Sequence, residues 1–104
     1  MQTVPFCPVA ATIDVIGGKW KPMILQQLRD GPCRFNELRR RLPHVTQRML
    51  TLQLRALESD GIIDRTVYGK QAPYIVEYDF TAHGRSLGPI LEAMEQWGDR
   101  AKSQ

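Results

Sequence analysis

Gln47, Arg48, Thr51 and Arg55 are the residues whose types and spacing best fit a chemical role. With 100° between successive residues of an α-helix, they fall on one arc, opposite an arc of leucines. Gln and Arg make paired hydrogen bonds to adenine and guanine, and Thr bonds to a base or packs on a thymine methyl. The arc therefore has the chemistry of base recognition. The alternative is that it is only a solvated surface, as Arg-rich helix faces often are.

The helix that carries this arc is predicted to run from Thr46 to Ser59. Thr46 is suited to cap its N-terminus, and Asp60-Gly61 is suited to end it. Its inward side is expected to be apolar, with Leu50, Leu54 and Leu57 at the centre and Met49 and Ala56 beside them. Gln53 also falls in the apolar arc, and the sequence supplies no reason for it beyond a hydrogen bond to buried backbone.

The remaining segments predict further helices and a β-hairpin. Apolar periodicity and stop signals indicate helices in "PVAATIDVIGG", "KWKPMILQQLRDG" and "RFNELRRRL". "IIDRTVY" and "YIVEYDF" are rich in β-branched and aromatic residues and predict two strands, with a short third strand near Cys33-Arg34. Residues 81–104 predict one long helix with a kink at Pro89. The expected fold class is mainly α with a small β-hairpin, in the order of a winged helix-turn-helix.

This order gives the polar arc a geometric context. The second helix of a helix-turn-helix lies in the major groove of DNA. Basic residues flank it at Arg39, Arg40, Arg41, Arg65 and Lys70, where they are expected to contact phosphates without reading sequence. His44 lies in the turn, either against a phosphate or as a solvated turn residue. The predicted partner is double-stranded DNA.

Length and composition exclude several other classes. The chain has 104 residues with a formal net charge of +3, and one domain over residues 1–104 is expected. It contains no Ser/His/Asp set, phosphate-binding glycine loop or zinc-spaced Cys/His cluster, so we expect neither an enzyme nor a cofactor or metal. No leader or membrane-spanning stretch is evident, and two cysteines form no disulfide framework. A cytoplasmic location with reduced thiols is expected.

Longer motifs resemble a known family. "CPVAATIDVIGGKWKPMILQQLRDGPCRFNELRRRLP", "RMLTLQLRALESDGIIDRTVY", "VEY" and "TAHGRSLGPIL" are similar to the HxlR family of bacterial transcriptional regulators, from Cys7 to about Trp97. The resemblance implies a dimeric winged helix-turn-helix protein, related to the MarR group, that binds inverted repeats. The matched positions are the recognition helix Thr46–Ser59 and the wing Tyr68–Tyr74.

The chain departs from the family pattern at two places. Relatives often carry a Pro-rich wing with an Arg just before "VEY", whereas here Tyr74 and Ile75 hold that stretch and Lys70 is the only wing cation. This weakens the expectation of a minor-groove contact. Leu52 stands where relatives often have a polar residue, and its expected role is packing against a thymine methyl.

The final helix predicts a dimer on independent grounds. Its apolar stripe is longer than a small body needs, and the N-terminal segment is expected to pack with it. The expected interface residues are Phe6, Val9, Ile13, Leu87, Ile90, Leu91, Met94 and Trp97. In this reading residues 8–80 form the winged-helix body, and residues 81–104 with the N-terminal segment form the dimer. A two-fold dimer would place its recognition helices about 34 Å apart and predicts a pseudo-palindromic operator. The alternative is that the helix folds back on its own core.

Cys7 is the residue with reactive potential. It precedes Pro8 at the start of the first helix, where the helix dipole favours the thiolate. The resemblance implies a sensor of oxidants, quinones or aldehydes, and the alternative is a small apolar packing residue. Two further functional alternatives are a regulator that responds to a small-molecule effector, bound between the long helices, and one that acts only through protein contacts.

Overall fold

The computed structural model of the protein describes residues 5–103 and contains six helices and three strands in that range. In chain order they are α1 (Pro8–Ile16), α2 (Trp20–Leu28), β1 (Cys33–Arg34), α3 (Phe35–Arg41), α4 (Gln47–Ser59), β2 (Ile63–Tyr68), β3 (Ile75–Phe80), α5 (Ala82–Arg85) and α6 (Gly88–Ser103). This order confirms the predicted winged helix-turn-helix, in which α3 and α4 form the helix-turn-helix and β2 and β3 form the wing.

The three strands form an antiparallel sheet in the order β1-β3-β2. Tyr78 of β3 lies between Cys33 of β1 and Arg65 of β2. The predicted third strand is therefore present, and it joins the wing to the start of α3. This pairing determines how the hairpin is oriented relative to the helix-turn-helix.

Helix α4 begins and ends with local capping structures. The Thr46 hydroxyl accepts a hydrogen bond from the Met49 backbone N–H at 3.0 Å, as expected for an N-cap. At the other end, Gly61 has a φ of +73°, and the Ile62 N–H donates to the Leu57 carbonyl at 3.0 Å. Both helix boundaries thus agree with the sequence prediction, because both depend on residues close in sequence.

The core lies between α2, α3, α4 and the sheet. The three predicted α4 leucines, Leu50, Leu54 and Leu57, have no exposed surface. The side chain of Gln53 is half-buried beside them, and its amide donates to the Met49 sulfur at 3.2 Å. This contact partly satisfies a polar group that the sequence pattern left unexplained.

The predicted long C-terminal helix is present as α6, but it does not extend over the whole of residues 81–104. The segment contains two helices, α5 and α6, separated by Ser86 and Leu87. Pro89 does not kink the helix but stands in the first turn of α6, where a missing N–H has no effect on helical hydrogen bonding. Helix α5 lies close to the segment that follows α4. The backbone N–H of Thr81, which precedes α5, donates to the Ile62 carbonyl at 3.0 Å.

Gly84 allows this close approach, which yields a testable consequence. A Cβ atom at this position would lie 1.9 Å from the Ile62 carbonyl oxygen, closer than real contacts allow. We expect Gly84→Ala to lower the free energy of unfolding by about 1–3 kcal/mol, measured by thermal or denaturant unfolding. The control is Gly88→Ala, because a Cβ there meets nothing within 4 Å. Equal stability of the two variants would contradict this account of the α5 contact.

Candidate nucleic-acid interface

The outward side of α4 is exposed along its length. Gln47, Arg48 and Arg55 are exposed, and Thr51 is half-buried. Leu52 stands among them with 57% of its surface exposed, which is unusual for a leucine in a helix whose other leucines are fully buried. The helix is therefore divided between an apolar side in the core and an outward side of hydrogen-bonding groups.

A shallow groove of about 560 Å³ runs along this side. It brings together five of the predicted DNA-contacting residues: Gln47, Arg48, Thr51, Leu52 and Arg55. Thr46, the sixth residue predicted on this helix, is exposed at its start, where its hydroxyl serves as the cap. Because its buried leucines determine how α4 is oriented about its own axis, the five side chains are accessible from one direction.

A second cleft, of about 930 Å³, lies between the helix-turn-helix and the hairpin. It brings together two predicted flanking residues, Arg40 and Arg65, with Thr51 and Arg55 of α4. Arg34, which the sequence reasoning did not select, also lines this cleft. The one indication of Arg34 in the sequence was its place in the predicted third strand. Only the pairing of β1 with β3 puts it beside the hairpin.

The other predicted DNA-contacting residues lie outside the linings of these two clefts. Arg39 on α3, His44 in the turn and Lys70 in the β2–β3 loop are all exposed. Among the described residues, neither Arg39 nor Lys70 takes part in a salt bridge. These charges are therefore available to an anionic partner.

Arg41 has a different environment from its neighbours Arg39 and Arg40. Its guanidinium lies 3.6 Å from a Glu37 carboxylate oxygen and donates to the Cys33 sulfur at 3.1 Å. These contacts connect the last turn of α3 with β1. Within this run of three arginines, Arg41 thus has a structural role inside the subunit.

The two cysteines lie in contrasting environments. Cys7 is exposed at the N-cap of α1, immediately before Pro8, as the sequence predicted. Cys33 is buried in β1, where its thiol donates to the Gln27 carbonyl at 3.4 Å. Burial raises the pKa of the Cys33 thiol, and the nearby Arg41 guanidinium opposes that shift. A raised pKa lowers the thiolate fraction of Cys33 at neutral pH, and burial limits the access of reagents to its sulfur.

The residues expected at a dimer interface fall into two groups. Six large apolar side chains are between 43% and 81% exposed: Phe6, Val9, Ile13, Ile90, Met94 and Trp97. Leu87 and Leu91 differ, since 8% and 3% of their surfaces are exposed and they belong to the core of the subunit itself. The predicted stripe is therefore split, with one side on the subunit's core and the other facing outward.

Polar contacts hold α6 against α2. The Glu95 carboxylate accepts hydrogen bonds from the Gln26 amide at 2.5 Å and from the Arg29 guanidinium at 3.1 Å. Arg29 also donates to the Gln26 side-chain oxygen at 3.0 Å. Together with Leu87 and Leu91, this network sets the direction in which α6 leaves the body.

Residues 5–103 contain neither a metal-binding group of side chains nor a membrane-spanning helix. No group of three or more His, Cys, Asp or Glu side chains in that range is arranged to hold a metal ion. No helix in the same range combines the length and apolar character needed to cross a bilayer.

The geometry agrees with a family match. A family model described as an HxlR-like helix-turn-helix matches residues 15–104. The chain belongs to the HxlR family. It is thus a transcriptional regulator with a helix-turn-helix DNA-binding fold, and the family and its named members are regulators, not enzymes.

Individual HxlR and MarR-type proteins are similar over most of the chain. The uncharacterized HTH-type transcriptional regulator YdeP of Bacillus subtilis (strain 168) is 55% identical over 98 residues, which are 94% of this chain and 76% of YdeP. The redox regulator HypR in its reduced form is 54% identical with a TM-score of 0.88, covering 92% of this chain and 94% of that one. A structure described as a MarR-family regulator from Porphyromonas gingivalis W83 is 30% identical with a TM-score of 0.83, covering 94% of this chain and 95% of that one.

Proposed function

We propose that this HxlR protein is a homodimeric, sequence-specific DNA-binding regulator that inserts α4 into the major groove of an inverted-repeat operator. The observation that carries the proposal is the division of α4 between three fully buried leucines and an outward arc of amide, hydroxyl and guanidinium groups. Such side chains make the paired hydrogen bonds that distinguish bases in the major groove. Gln47, Arg48, Thr51 and Arg55 read bases, and Leu52 packs on a thymine methyl.

The flanking charges have a separate role in the proposal. Arg39, Arg40, His44, Arg65 and Lys70 contact phosphates, which position a protein on DNA but carry little sequence information. The free N–H groups at the start of α4, next to Thr46, supply a further phosphate contact. Chromosomal DNA as the partner implies a cytoplasmic location.

Variants of these two groups should behave differently toward DNA. We expect Arg48→Ala and Thr51→Ala to reduce the discrimination between operator and unrelated DNA by about 1–3 kcal/mol each. Lys70→Ala should weaken binding to both DNAs alike. It should also reduce the slope of log affinity against log salt concentration by about one. The measurement is fluorescence anisotropy over a range of salt concentrations, with a duplex selected by the protein from a random pool.

Arg100→Ala serves as the matched control, because it removes one exposed charge from the last turn of α6. Unchanged discrimination in both α4 variants would contradict the proposed base contacts. Wild-type protein that retained no duplex at all would instead favour a regulator that acts only through protein contacts.

The exposed apolar faces of α1 and α6 support the dimer. Isolated apolar side chains are common on protein surfaces, but groups of them mark interaction sites. We propose that a second copy covers Phe6, Val9, Ile13, Ile90, Met94 and Trp97. The proposal divides the chain into a DNA-reading body over residues 8–80 and a dimerisation part made of residues 81–104 and the N-terminal segment.

The dimer can be tested at Trp97, which is 67% exposed. We expect Trp97→Asp to raise the dimer dissociation constant by roughly thirtyfold or more, because aromatic anchors dominate such interfaces. Sedimentation equilibrium provides the measurement, and circular dichroism should show an unchanged helix content. Val67→Asp on the wing is the control, since Val67 is also exposed. A monomeric wild-type protein at high concentration would refute the dimer.

Cys7 is proposed as a site for oxidants or electrophiles. It is exposed at a helix N-terminus, and the similar protein HypR carries the description of a redox regulator with reduced and oxidized forms. Modification of Cys7, so close to the proposed interface, would change the geometry of the dimer and its affinity for DNA.

Reactivity should differ strongly between the two thiols. After brief treatment with a quinone or diamide, mass spectrometry of the native protein should find Cys7 modified and Cys33 unmodified, because Cys33 is buried with a raised pKa. In denaturant both thiols should react. Cys7→Ser should abolish any effect of the reagent on DNA binding, whereas Cys33→Ala should retain it. Native Cys7 that reacts no faster than Cys33 would exclude the sensor role.

A further inference from the structure

The cleft between the helix-turn-helix and the hairpin contains residues to which the proposed function assigns no role, among them Arg34 and Tyr78. Its walls are the start of α3, the outward side of α4 and the inner side of β2 and β3. The residues that line it are Arg34, Phe35, Asn36, Glu37, Arg40, Thr51, Arg55, Glu58, Arg65, Tyr74, Ile75, Val76 and Tyr78. Most small-molecule sites are mainly apolar, whereas this cleft is dominated by charged and hydrogen-bonding groups.

Positive charge is in excess inside the cleft. Four arginines line it, against two glutamates. The Glu37 carboxylate is already engaged, because it accepts from the Arg34 backbone N–H at 3.1 Å and pairs with Arg41 at 3.6 Å. Within residues 5–103, the salt bridges include none of the four cleft arginines. Such an arrangement attracts an anion.

Neutral hydrogen-bond donors complete the cleft. The Tyr78 side chain is 5% exposed and lies on the cleft wall between the paired positions Cys33 and Arg65. Burial raises the pKa of the Tyr78 hydroxyl, with the neighbouring Arg65 guanidinium opposing the shift. The hydroxyl therefore stays protonated at neutral pH and can donate to an oxyanion. Thr51 supplies a second hydroxyl on the opposite wall.

The cleft is continuous with the groove on α4. Thr51 and Arg55 line both of them. A duplex that holds α4 in its major groove must place one of its two strands on this side of the helix. Since that strand carries a negative charge at every nucleotide, its backbone would run along the opening between α4 and the hairpin.

We propose that this cleft seats a single phosphate diester of the DNA backbone, with Arg34 of β1 as a contact alongside Arg40 and Arg65. This inference rests on the proposed function and adds to it a defined phosphate position and the residue Arg34. The seat couples three elements of the subunit, because its arginines come from β1, α3 and β2. Phosphate binding there would fix the wing relative to α4 on the duplex.

The decisive experiment neutralises phosphates one at a time. The duplex selected by the wild-type protein is synthesised in versions with a single methylphosphonate linkage at each backbone position. At one position per half-site, neutralisation should weaken wild-type binding by roughly fivefold to tenfold. Arg34→Gln should bind the unmodified duplex more weakly by a similar factor. When that same phosphate is neutralised, the affinity of the Arg34→Gln variant should fall little further.

Controls separate the contact from general charge effects. Arg100→Gln removes one positive charge far from the cleft and should respond to every methylphosphonate as the wild type does. Circular dichroism verifies folding, and Arg65→Gln on the exposed strand β2 replaces Arg34→Gln if the latter does not fold. If the losses of affinity caused by Arg34→Gln and by the methylphosphonate were additive at every backbone position, the inference would be overturned. The protein would still be a DNA-binding protein. No retention of any duplex by the wild type would overturn the proposed function itself.

A free phosphate ion carries the same charged oxygens as a phosphate of the DNA backbone, so it is the other candidate occupant of the cleft. Inorganic phosphate titrated at constant ionic strength, and followed through the arginine Nε–Hε resonances, should cause only weak, unsaturated shifts at Arg34. Saturable binding of inorganic phosphate, together with no position-specific methylphosphonate effect, would assign the cleft to a free oxyanion and overturn the assignment to DNA.

Discussion

The burial of one side of α4 is the constraint on which the rest of the structure depends. Leu50, Leu54 and Leu57 are completely buried where α4 packs against α2 and β2. Rotation of the helix by one residue position would carry polar groups into this core, and unpaired buried polar groups are costly. The leucines therefore determine which way Arg48, Thr51 and Arg55 face. The stability of the core and the direction of the polar arc of α4 are consequences of the same packing.

The sheet extends this constraint to the wing. Only two residues of β1 pair with β3, yet they connect the hairpin to the start of α3. Tyr78 pairs with both Cys33 and Arg65 across the sheet, and Arg41 contacts the Cys33 sulfur from the end of α3. The hairpin is thereby held beside α4 instead of projecting freely. This arrangement forms the arginine-lined cleft.

The two ends of the subunit differ in chemistry. The outward side of α4 and the adjacent cleft are rich in arginine, whereas α1 and α6 present exposed apolar side chains such as Phe6 and Trp97. The Glu95 contacts to Gln26 and Arg29 link α6 to α2, which itself packs against α4. A change in the direction of α6 would therefore be transmitted to the body through α2 and through the core contacts of Leu87 and Leu91. In the proposed dimer, this route connects the interface near Cys7 with the spacing of the two recognition helices.

The sequence by itself determined most of the elements and the polar arc of α4. The boundaries of α4 depend on Thr46 and Gly61, and its orientation on a leucine periodicity within 13 residues, all of which are local. Only the tertiary structure decided features that depend on distant residues. The break at Ser86-Leu87 accompanies the approach of Gly84 to Ile62, the burial of Leu87 and Leu91 depends on packing within the subunit, and Arg34 joins the cleft through its pairing with β3. Periodicity shows which side of a helix is apolar, but it carries no information about which partner covers that side.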